Sequence, residues 1–346
     1  MKKTTITSLA KELGVNISTV SRALNNSPMI SEKRRREIHE LAEKRGFKLR
    51  ASTPRIPNLC ILIVAFKNEK NLINDFTGQV INGANLYCQE NDIELSVFNS
   101  PREKLNRTNA VKEIFRRNVD GVIVLNANSD CTFLSQFKKE KTPYCCLLND
   151  NPDFSSHTLN ADHQNLAERA VDYLLQLGHR HIAYLYSWAQ NPAQLNRLRG
   201  YRHALSRAGL PINEQLCPPP PRILRTTALE MGLHTTTKIL NQNPETTAIF
   251  CTNSELAEGA HLACHRKGLH IPEDISLLVC DNPPRAEYYC PPLTVVDIAN
   301  DRFGAAAAGW VLQQLQDPDN APCPDEPWMK GNLIIRESTA PPRRMD

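Results

Sequence analysis

Residues 6–24 of the chain read ITSLAKELGVNISTVSRAL. The first half of this stretch repeats apolar residues at the spacing of one helix face, namely Ile6, Leu9, Ala10 and Leu13. Gly14 follows where a left-handed residue commonly ends a helix, and Asn16 is a good N-cap for a second helix over residues 17–24. Two helices joined by a short turn that contains Gly predict a helix-turn-helix.

A third helix is predicted after Ser31, which is a suitable N-cap. Its apolar stripe is formed by Ile38, Leu41 and Ala42, and its outward face carries Lys33, Arg34, Arg35 and Arg36. The second helix carries small hydroxyl residues and Arg22 on the face away from Val20 and Leu24. Such a face fits the major groove of DNA, where Arg22 can bind guanine through both guanidinium arms.

The charge distribution supports a polyanionic partner for this N-terminal three-helix segment, which we call the head. Residues 1–58 carry 13 Lys or Arg and 5 Asp or Glu, a net charge of +8, whereas the whole 346-residue chain carries +4. A basic three-helix bundle whose charged face is merely solvated is the alternative interpretation.

Several classes of protein are excluded by composition. The chain has no long apolar run that predicts a membrane-spanning helix and no apolar segment that predicts a secretory signal, so we expect a cytoplasmic protein. Its 11 cysteines are scattered and show no Cys-x-x-Cys spacing, so free buried thiols are expected rather than disulfides or a zinc site.

The head resembles that of the lactose/galactose repressor family of bacterial regulators. The resemblance lies in Ala10, Gly14-Val15, Thr19 to Arg22, Leu24-Asn25 and Ile30 to Glu32. It implies that bases are read by Ile17, Ser18 and Arg22, and that the DNA backbone is held by Thr5, Thr19, Ser21, Asn25 and Ser31. Ile17 offers only apolar contact, for instance to a thymine methyl, and a packing role is the alternative.

The segment that follows departs from the family pattern. Family members usually have a hinge helix here that places a Leu in the minor groove, but Pro54 and Pro57 oppose a helix in this chain. We therefore expect residues 48–58 to form an extended basic linker, with Arg50 among the residues that contact phosphates. Ile56 as the minor-groove wedge is the alternative.

From residue 59 onward, strands alternate with helices. Strands are predicted at 59–66, 93–98, 121–125, 144–148, 182–186, 248–251 and 275–280. Helices are predicted at 75–90, 104–117, 132–140, 163–177, 194–209, 228–242 and 254–268. This alternation predicts an α/β fold with doubly wound parallel sheets, and the number of units favours two lobes with a cleft between them.

This body resembles the effector domain of the same family, which shares its fold with type I periplasmic sugar-binding proteins. The matching stretches are 119–123, 177–182, 197–201, 271–276, 291–294 and 335–339. The resemblance implies three crossings between lobes, near residues 160, 290 and 324. The expected organisation is therefore a helix-turn-helix domain (1–47), the linker (48–58) and a two-lobed effector and dimerisation domain (59–346), with lobe 1 at about 59–160 and 291–323 and lobe 2 at about 161–290 and 324–340.

The resemblance also implies a ligand site in the cleft. Its candidate residues are Phe76, Asp162, Arg197, Asn253 and Asp281. Arg and Asp suit sugar hydroxyls because charge-assisted hydrogen bonds discriminate between donors and acceptors. Helix capping is the alternative role for Asp162, turn capping for Asp281, and core packing for Phe76.

Two departures from the family pattern weaken the expectation that a hexose stacks on an aromatic residue in the cleft. Thr227 stands where many members have an aromatic residue, and Ser254 stands where Asp is common. Additional candidates for the pocket are Lys67, Trp188 and Arg225, and the two cations would suit a phosphorylated or carboxylated ligand; an ordinary loop role is the alternative for each.

No sequence signature of an enzyme, a metal site or a cofactor is present, so a non-enzyme without cofactor is predicted. The expected function is a ligand-responsive transcription regulator, most simply a repressor. Its expected partners are palindromic operator DNA, a carbohydrate or phosphorylated effector, and a second copy of the chain in a homodimer or tetramer. The alternatives are a constitutive DNA-binding regulator with a vestigial pocket and a solute-binding protein, against which residues 1–47 argue.

Overall fold

The structure is a computed structural model, and it divides into an N-terminal unit, residues 1–56, and a second unit, residues 57–346. It describes residues 5–15, 17–24, 32–47, 56–65, 73–149, 151–187, 192–220, 226–317, 321, 328–329 and 331–343.

The N-terminal unit contains the three predicted helices, which are α1 (Ile6–Leu13), α2 (Ile17–Leu24) and α3 (Glu32–Lys44). Thr5 caps α1, because its hydroxyl accepts a hydrogen bond from the backbone of Ser8 at 3.2 Å. Gly14 ends α1 in the left-handed region, with φ 64°. Apolar residues from all three helices form one small core, namely Leu9, Ala10, Val20, Ala23, Leu24, Ile38 and Ala42.

The second unit alternates strands and helices. Its strands are β1 (Asn58–Ala65), β2 (Glu94–Pro101), β3 (Gly121–Leu125), β4 (Tyr144–Leu147), β5 (Thr158–Ala161), β6 (Ile182–Leu185), β7 (Ala248–Cys251), β8 (Ser276–Cys280), β9 (Thr294–Asp297), β10 (Trp328–Met329) and β11 (Asn332–Ile334). Its helices are α4 (Asp75–Glu90), α5 (Arg102–Arg107), α6 (Ala110–Phe115), α7 (Leu134–Lys139), α8 (His163–Gln176), α9 (Pro192–Arg207), α10 (Ala228–Gln242), α11 (Ser254–Arg266) and α12 (Asn300–Gln316).

The strands form two sheets, one in each of two lobes. The sheet of lobe 1 has the order β10-β5-β4-β3-β1-β2, and all of its pairs are parallel. The sheet of lobe 2 has the order β11-β9-β8-β7-β6, and only the pair of β11 with β9 is antiparallel. Buried apolar runs in the central strands and helices on both faces explain this arrangement. The predicted doubly wound α/β fold is confirmed.

Two of the expected lobe boundaries are wrong. Residues 291–297 were assigned to lobe 1, but β9 pairs with β8 of lobe 2, so the second crossing lies between Asp297 and α12. Residues 324–340 are expected in lobe 2, but strand β10 within this stretch pairs with β5 of lobe 1. In both cases strand pairing, which is a long-range contact, decides the lobe.

The helix predictions need two corrections. Helix α12 was not predicted, although it packs along α4 and over β3 and β4 of lobe 1. The single helix expected at 104–117 is two helices, because the Asn109 side chain accepts a hydrogen bond from the backbone of Lys112 at 2.7 Å and so begins α6.

Helices α4 and α12 approach each other closely at glycines. A Cβ on Gly83 would overlap the backbone carbonyl of Asp301, and a Cβ on Gly304 would overlap that of Val80. Because backbone atoms on both helices line this contact, neither helix can yield by turning a side chain.

We expect Gly83→Ala to lower the free energy of unfolding by about 1–3 kcal/mol, because the added methyl forces the two helices apart. Gly78→Ala on the same helix is the matched control, since nothing lies within 4 Å of its added Cβ. That control should be neutral or stabilise the chain by up to about 1 kcal/mol, the helix-propensity difference. Urea unfolding of the two variants measures this, and equal stabilities would contradict the close packing.

The ten cysteines in the described part of the chain are free, and nine of them are buried, as the sequence predicts; Cys290 is exposed. None of the helices described here is both long and apolar enough to cross a bilayer.

Candidate functional site

The two lobes meet at the carboxyl ends of their sheets. The Ser254 hydroxyl at the start of α11 donates a hydrogen bond to the carboxylate of Asp75 at the start of α4. Gln79 of α4 donates through Nε2 to the carbonyl oxygen of Asn282 in lobe 2, at 3.2 Å. In open α/β sheets, ligands bind in the crevice outside the carboxyl ends of the strands. This crevice, the interlobe cleft, is therefore the candidate ligand site.

One set of charged groups joins the lobes directly. Arg285 of lobe 2 binds the carboxylate of Asp75 in lobe 1 and that of Glu258 on α11, the latter at 2.7 Å. Burial lowers the pKa of Arg285, but its hydrogen bonds to the two carboxylates raise it by more, so the cation is favoured. We call Asp75, Ser254, Glu258 and Arg285 the interlobe clasp. It holds the lobes together through the protein's own side chains.

Arg197 lies on α9, beside the carboxyl end of β7. Its side chain is buried, and Nη1 donates to the carbonyl oxygen of Thr252, just after β7, at 2.6 Å. Burial lowers the pKa of Arg197, but nearby acidic groups, including Cys280 and Asp281, raise it by more. Its Nε is buried without a hydrogen-bond partner among the described residues. Arg197 is thus a buried cation with a donor to spare.

Asp281 lies beside Arg197, immediately after β8. It is buried and adopts the left-handed region with φ 79°, and its backbone N–H donates to the carbonyl of Val296 at 3.0 Å. Burial raises the pKa of its carboxyl, while Arg197 and a hydrogen bond from Asn300 lower it in part. An uncommon backbone conformation held by strand contacts is typical of functional positions. Asp281 therefore has interaction partners outside the turn that precedes Pro283, so turn capping is not its only role.

Asp162 and Asn253 both cap helices. The exposed Asp162 carboxylate accepts a hydrogen bond from the backbone of Asn165 at 3.0 Å and caps α8. Asn253 caps α11 by accepting from the backbone of Leu256 at 2.8 Å, and its Nδ2 donates to the Ser187 hydroxyl. Capping accounts for both residue types, and effector contact by either one stays a prediction.

Phe76 and Thr227 were singled out by their positions in the sequence. Phe76 lies on α4 in lobe 1, whereas Arg197 lies on α9 in lobe 2, and Phe76 is half-buried against the apolar core. Thr227 is exposed and caps α10, so it offers the cleft no aromatic face. Ser254, in contrast, is buried and belongs to the interlobe clasp.

Sequence reasoning missed three polar residues that follow the carboxyl ends of strands β5, β7 and β9. His163, Thr252 and Asn300 are buried, and within the described residues each keeps at least one side-chain atom without a hydrogen-bond partner. His163 lies near enough to Arg197 for the guanidinium to affect its ionisation, since burial and this cation hold the pKa of His163 well below its usual range. The imidazole is therefore neutral.

The structure describes part of the predicted DNA-binding set. Thr5 is exposed and caps α1, Thr19 is half-buried on α2, and Ile56 is half exposed. Four more lie on α2, but their side chains lie outside the described residues: Ile17, Ser18, Ser21 and Arg22. The other candidates lie entirely outside the described residues, namely Asn25, Ser31, Arg50, Lys67, Trp188 and Arg225, as does most of the 48–58 linker.

Comparisons with known proteins match both units of the chain. Residues 5–48 match the family described as bacterial regulatory proteins, lacI family, and residues 171–339 match the periplasmic binding protein-like domain. HTH-type transcriptional regulator DegA of Bacillus subtilis (strain 168) is 30% identical over 311 residues, which are 88% of this chain and 89% of DegA.

Solved structures show the same fold. A complex of transcriptional regulator CelR with cellobiose has a TM-score of 0.68 at 22% identity and covers 97% of this chain and 99% of its own. The lac repressor dimer bound to operator and an anti-inducer has a TM-score of 0.66 at 19% identity, with coverage of 98% and 100%.

The fold and the matches define a class of protein, a DNA-binding transcription regulator with a periplasmic-binding-protein-like domain. The chain belongs to the lacI family of bacterial regulatory proteins. Its relatives in these comparisons are transcriptional regulators rather than enzymes.

Buried histidines give the chain a predictable pH dependence. Burial is the largest cause that lowers the pKa of His163 and of His179 from the usual 6.5. When the pH falls below 6.5, the unfolded chain takes up protons at these residues before the folded chain does, so stability falls. At a pH well below 6.5 but above the folded-state pKa, each histidine lowers the free energy of unfolding by about 1.4 kcal/mol for every unit that the pH falls.

Urea unfolding at pH 7.5, 6.5 and 5.5 checks this expectation. The raised pKa of Asp281 acts in the opposite sense, because its carboxyl takes up a proton in the folded chain above the usual 3.8, so stability rises as the pH falls through that raised pKa towards 3.8. His163→Phe should show a weaker dependence on pH than the wild-type chain. A free energy of unfolding that stays constant from pH 7.5 to 5.5 would contradict the assignment of neutral buried histidines.

Proposed function

We propose that the chain is a ligand-controlled transcriptional repressor. It binds a palindromic operator as a homodimer and takes a sugar or sugar derivative in the interlobe cleft. Membership of the lacI family and the net charge of +8 on residues 1–58 support the DNA-binding half of this proposal. A reading helix of eight residues contacts too few base pairs to select a whole site alone, which is why two heads are needed.

The observation that carries the ligand half is the buried pair of Arg197 and Asp281 at the carboxyl ends of the lobe 2 strands. Charged side chains are rarely fully buried without a function or a full set of partners. Around this pair, His163 and Thr252 also keep polar atoms without partners in the described residues. Structures of this fold include CelR in complex with cellobiose and the lac repressor bound to operator DNA, which supports the same classes of ligand here.

The test starts from full-length protein and a random DNA pool. Repeated selection should yield a palindromic site, and footprinting on that site should change when cellobiose, ribose or another neutral sugar is added. Selected sites without two-fold symmetry would contradict operator binding by a homodimer. A footprint unaffected by any sugar would contradict ligand control.

The interlobe clasp favours a second candidate, a constitutive DNA-binding regulator. Asp75 and Arg285 hold the lobes together through protein groups alone, so closure has a source other than a ligand. A thermal-shift screen separates the two candidates. A ligand that binds the folded chain raises its melting temperature, and a constitutive regulator would show no shift with any sugar.

A further inference from the structure

Two histidines of lobe 2 are equally buried but differ in their hydrogen bonds. His179 is 1% exposed, its Nε2 donates to the carbonyl of Ala340 at 2.9 Å, and its Nδ1 lies 2.9 Å from the Thr247 hydroxyl. His163 is 2% exposed, and neither ring nitrogen has a hydrogen-bond partner among the described residues. Both nitrogens of His179 serve the fold, whereas those of His163 do not.

The surroundings of His163 contain further unsatisfied groups. Its charge state is affected by Arg197, whose Nε has no partner, and Arg197 donates to the carbonyl of Thr252, whose hydroxyl has no partner either in the part of the chain described. Helix α8, which begins at His163, packs against α9, which carries Arg197, and against β7, which ends just before Thr252. Burying polar groups without hydrogen bonds costs free energy, so a cluster of them indicates a site that a ligand completes.

The chemistry of these groups limits the ligand. A neutral imidazole offers one donor and one acceptor, and a hydroxyl of the ligand can satisfy both functions. The charge of Arg197 is already opposed by the nearby Asp281 carboxylate, so the buried groups do not require an anion. A ligand with several hydroxyls can supply partners for the imidazole of His163 and for the free donor of Arg197.

We propose that His163 is a specificity-determining residue of the cleft, which hydrogen-bonds an uncharged polyhydroxyl ligand together with Arg197 and Thr252. This inference rests on the proposed function and deepens it, because it selects a neutral sugar or polyol over a phosphorylated or carboxylated ligand. The competing explanation is that enclosed water satisfies His163 and that its role is structural.

The experiment compares His163→Phe with His179→Phe in the full-length protein. His163→Phe removes polar atoms that lack partners, so the melting temperature without ligand should stay equal or rise. His179→Phe leaves the Thr247 hydroxyl and the Ala340 carbonyl without their partner, so it should lower the melting temperature by about 3–8 °C. His163→Leu repeats the first test with a smaller side chain, in case Phe is too large.

Ligand binding is then measured by calorimetry with cellobiose, ribose, glucose, glucose 6-phosphate and glucuronate. We expect the wild-type chain to prefer a neutral sugar, His163→Phe to bind it at least 10-fold more weakly, and His163→Gln, which keeps a donor and an acceptor, to lose less. The control His179→Phe should bind the same sugar within a few-fold of the wild type.

Three results would overturn the inference while the proposed function stands. These are a preference of the wild-type chain for glucose 6-phosphate or glucuronate, unchanged sugar binding by His163→Phe, and a loss of stability in His163→Phe and His163→Leu as large as that in His179→Phe. If the wild-type chain binds none of the five probes, the ligand half of the proposed function and the inference fail together.

Discussion

Affinity for the selected operator should fall by about 10³–10⁵-fold between 50 and 200 mM salt. Phosphate contacts by Lys and Arg release counterions, and six to ten such contacts give a loss of this size. Residues 1–58 carry 13 Lys or Arg, so two heads of a dimer have enough cations for that number of contacts. Gel-shift titrations of the full-length chain across a salt series measure the slope.

The distribution of charge along the chain determines which variant is a suitable control for the salt series. The remaining residues, 59–346, have a net charge of −4, so they do not favour a polyanion. Lys112→Gln removes an exposed cation from lobe 1 and should leave the slope unchanged. An affinity that changes less than 10-fold over the same range would contradict a binding mode driven by phosphate neutralisation.

The helical head was predictable because its signals are local. The apolar spacing of Leu9, Ala10 and Leu13 and the left-handed Gly14 lie within one short segment, and each is enough to place a helix or its end. Strands β1, β3, β7 and β8 were predictable for the same reason, since each is a short, mostly apolar run, whereas the buried strands β5 and β9 were not predicted.

Helix α12 was missed because its pattern is uniform. Four consecutive alanines, residues 305–308, give no contrast between an inner and an outer face, and glycines flank them at 304 and 309. Those small residues have a tertiary reason, the close approach of α12 to α4 near Gly304. Only the partner helix explains them, and a single sequence does not reveal the partner.

The cleft was predictable only in part. Arg197 and Asp281 were found through the family resemblance, and both lie buried at the carboxyl ends of strands. His163 was missed because the strand before it, β5, has the sequence TLNA, which is too short and polar to stand out. Whether a buried imidazole is satisfied depends on neighbours that are distant in sequence, so the sequence could not reveal it.

The interlobe clasp determines which ligand contacts can shift the equilibrium between open and closed lobes. A ligand shifts the equilibrium between open and closed lobes only by its differential affinity for the two forms. Because the ion pair of Asp75 and Arg285 already joins the two lobes, a ligand that contacts only one lobe would change little. Contacts to Arg197 in lobe 2 combined with contacts to lobe 1 near Phe76 would give the needed difference.

Arg197→Ala should therefore abolish the effect of the sugar on operator binding. The change removes a buried cation from the cleft and leaves the N-terminal unit unaltered, so operator affinity without sugar should stay within a few-fold of the wild type. Arg199→Ala is the matched control, since Arg199 is exposed on the same helix and donates through Nη1 to Asn196 Oδ1 at 2.7 Å. That control should keep both operator binding and the sugar response.

Two further variants separate ligand contact from folding. Arg197→Lys keeps the charge but loses the forked donor geometry, so it should retain stability better than Arg197→Ala and still respond weakly to the sugar. Asp281→Ala should also lose the response, because it leaves Arg197 without the nearby carboxylate. A full sugar response in Arg197→Ala would show that the ligand binds elsewhere. Loss of operator binding without sugar in the same variant would show that Arg197 acts through the fold, because a residue confined to the cleft has no other route to the DNA.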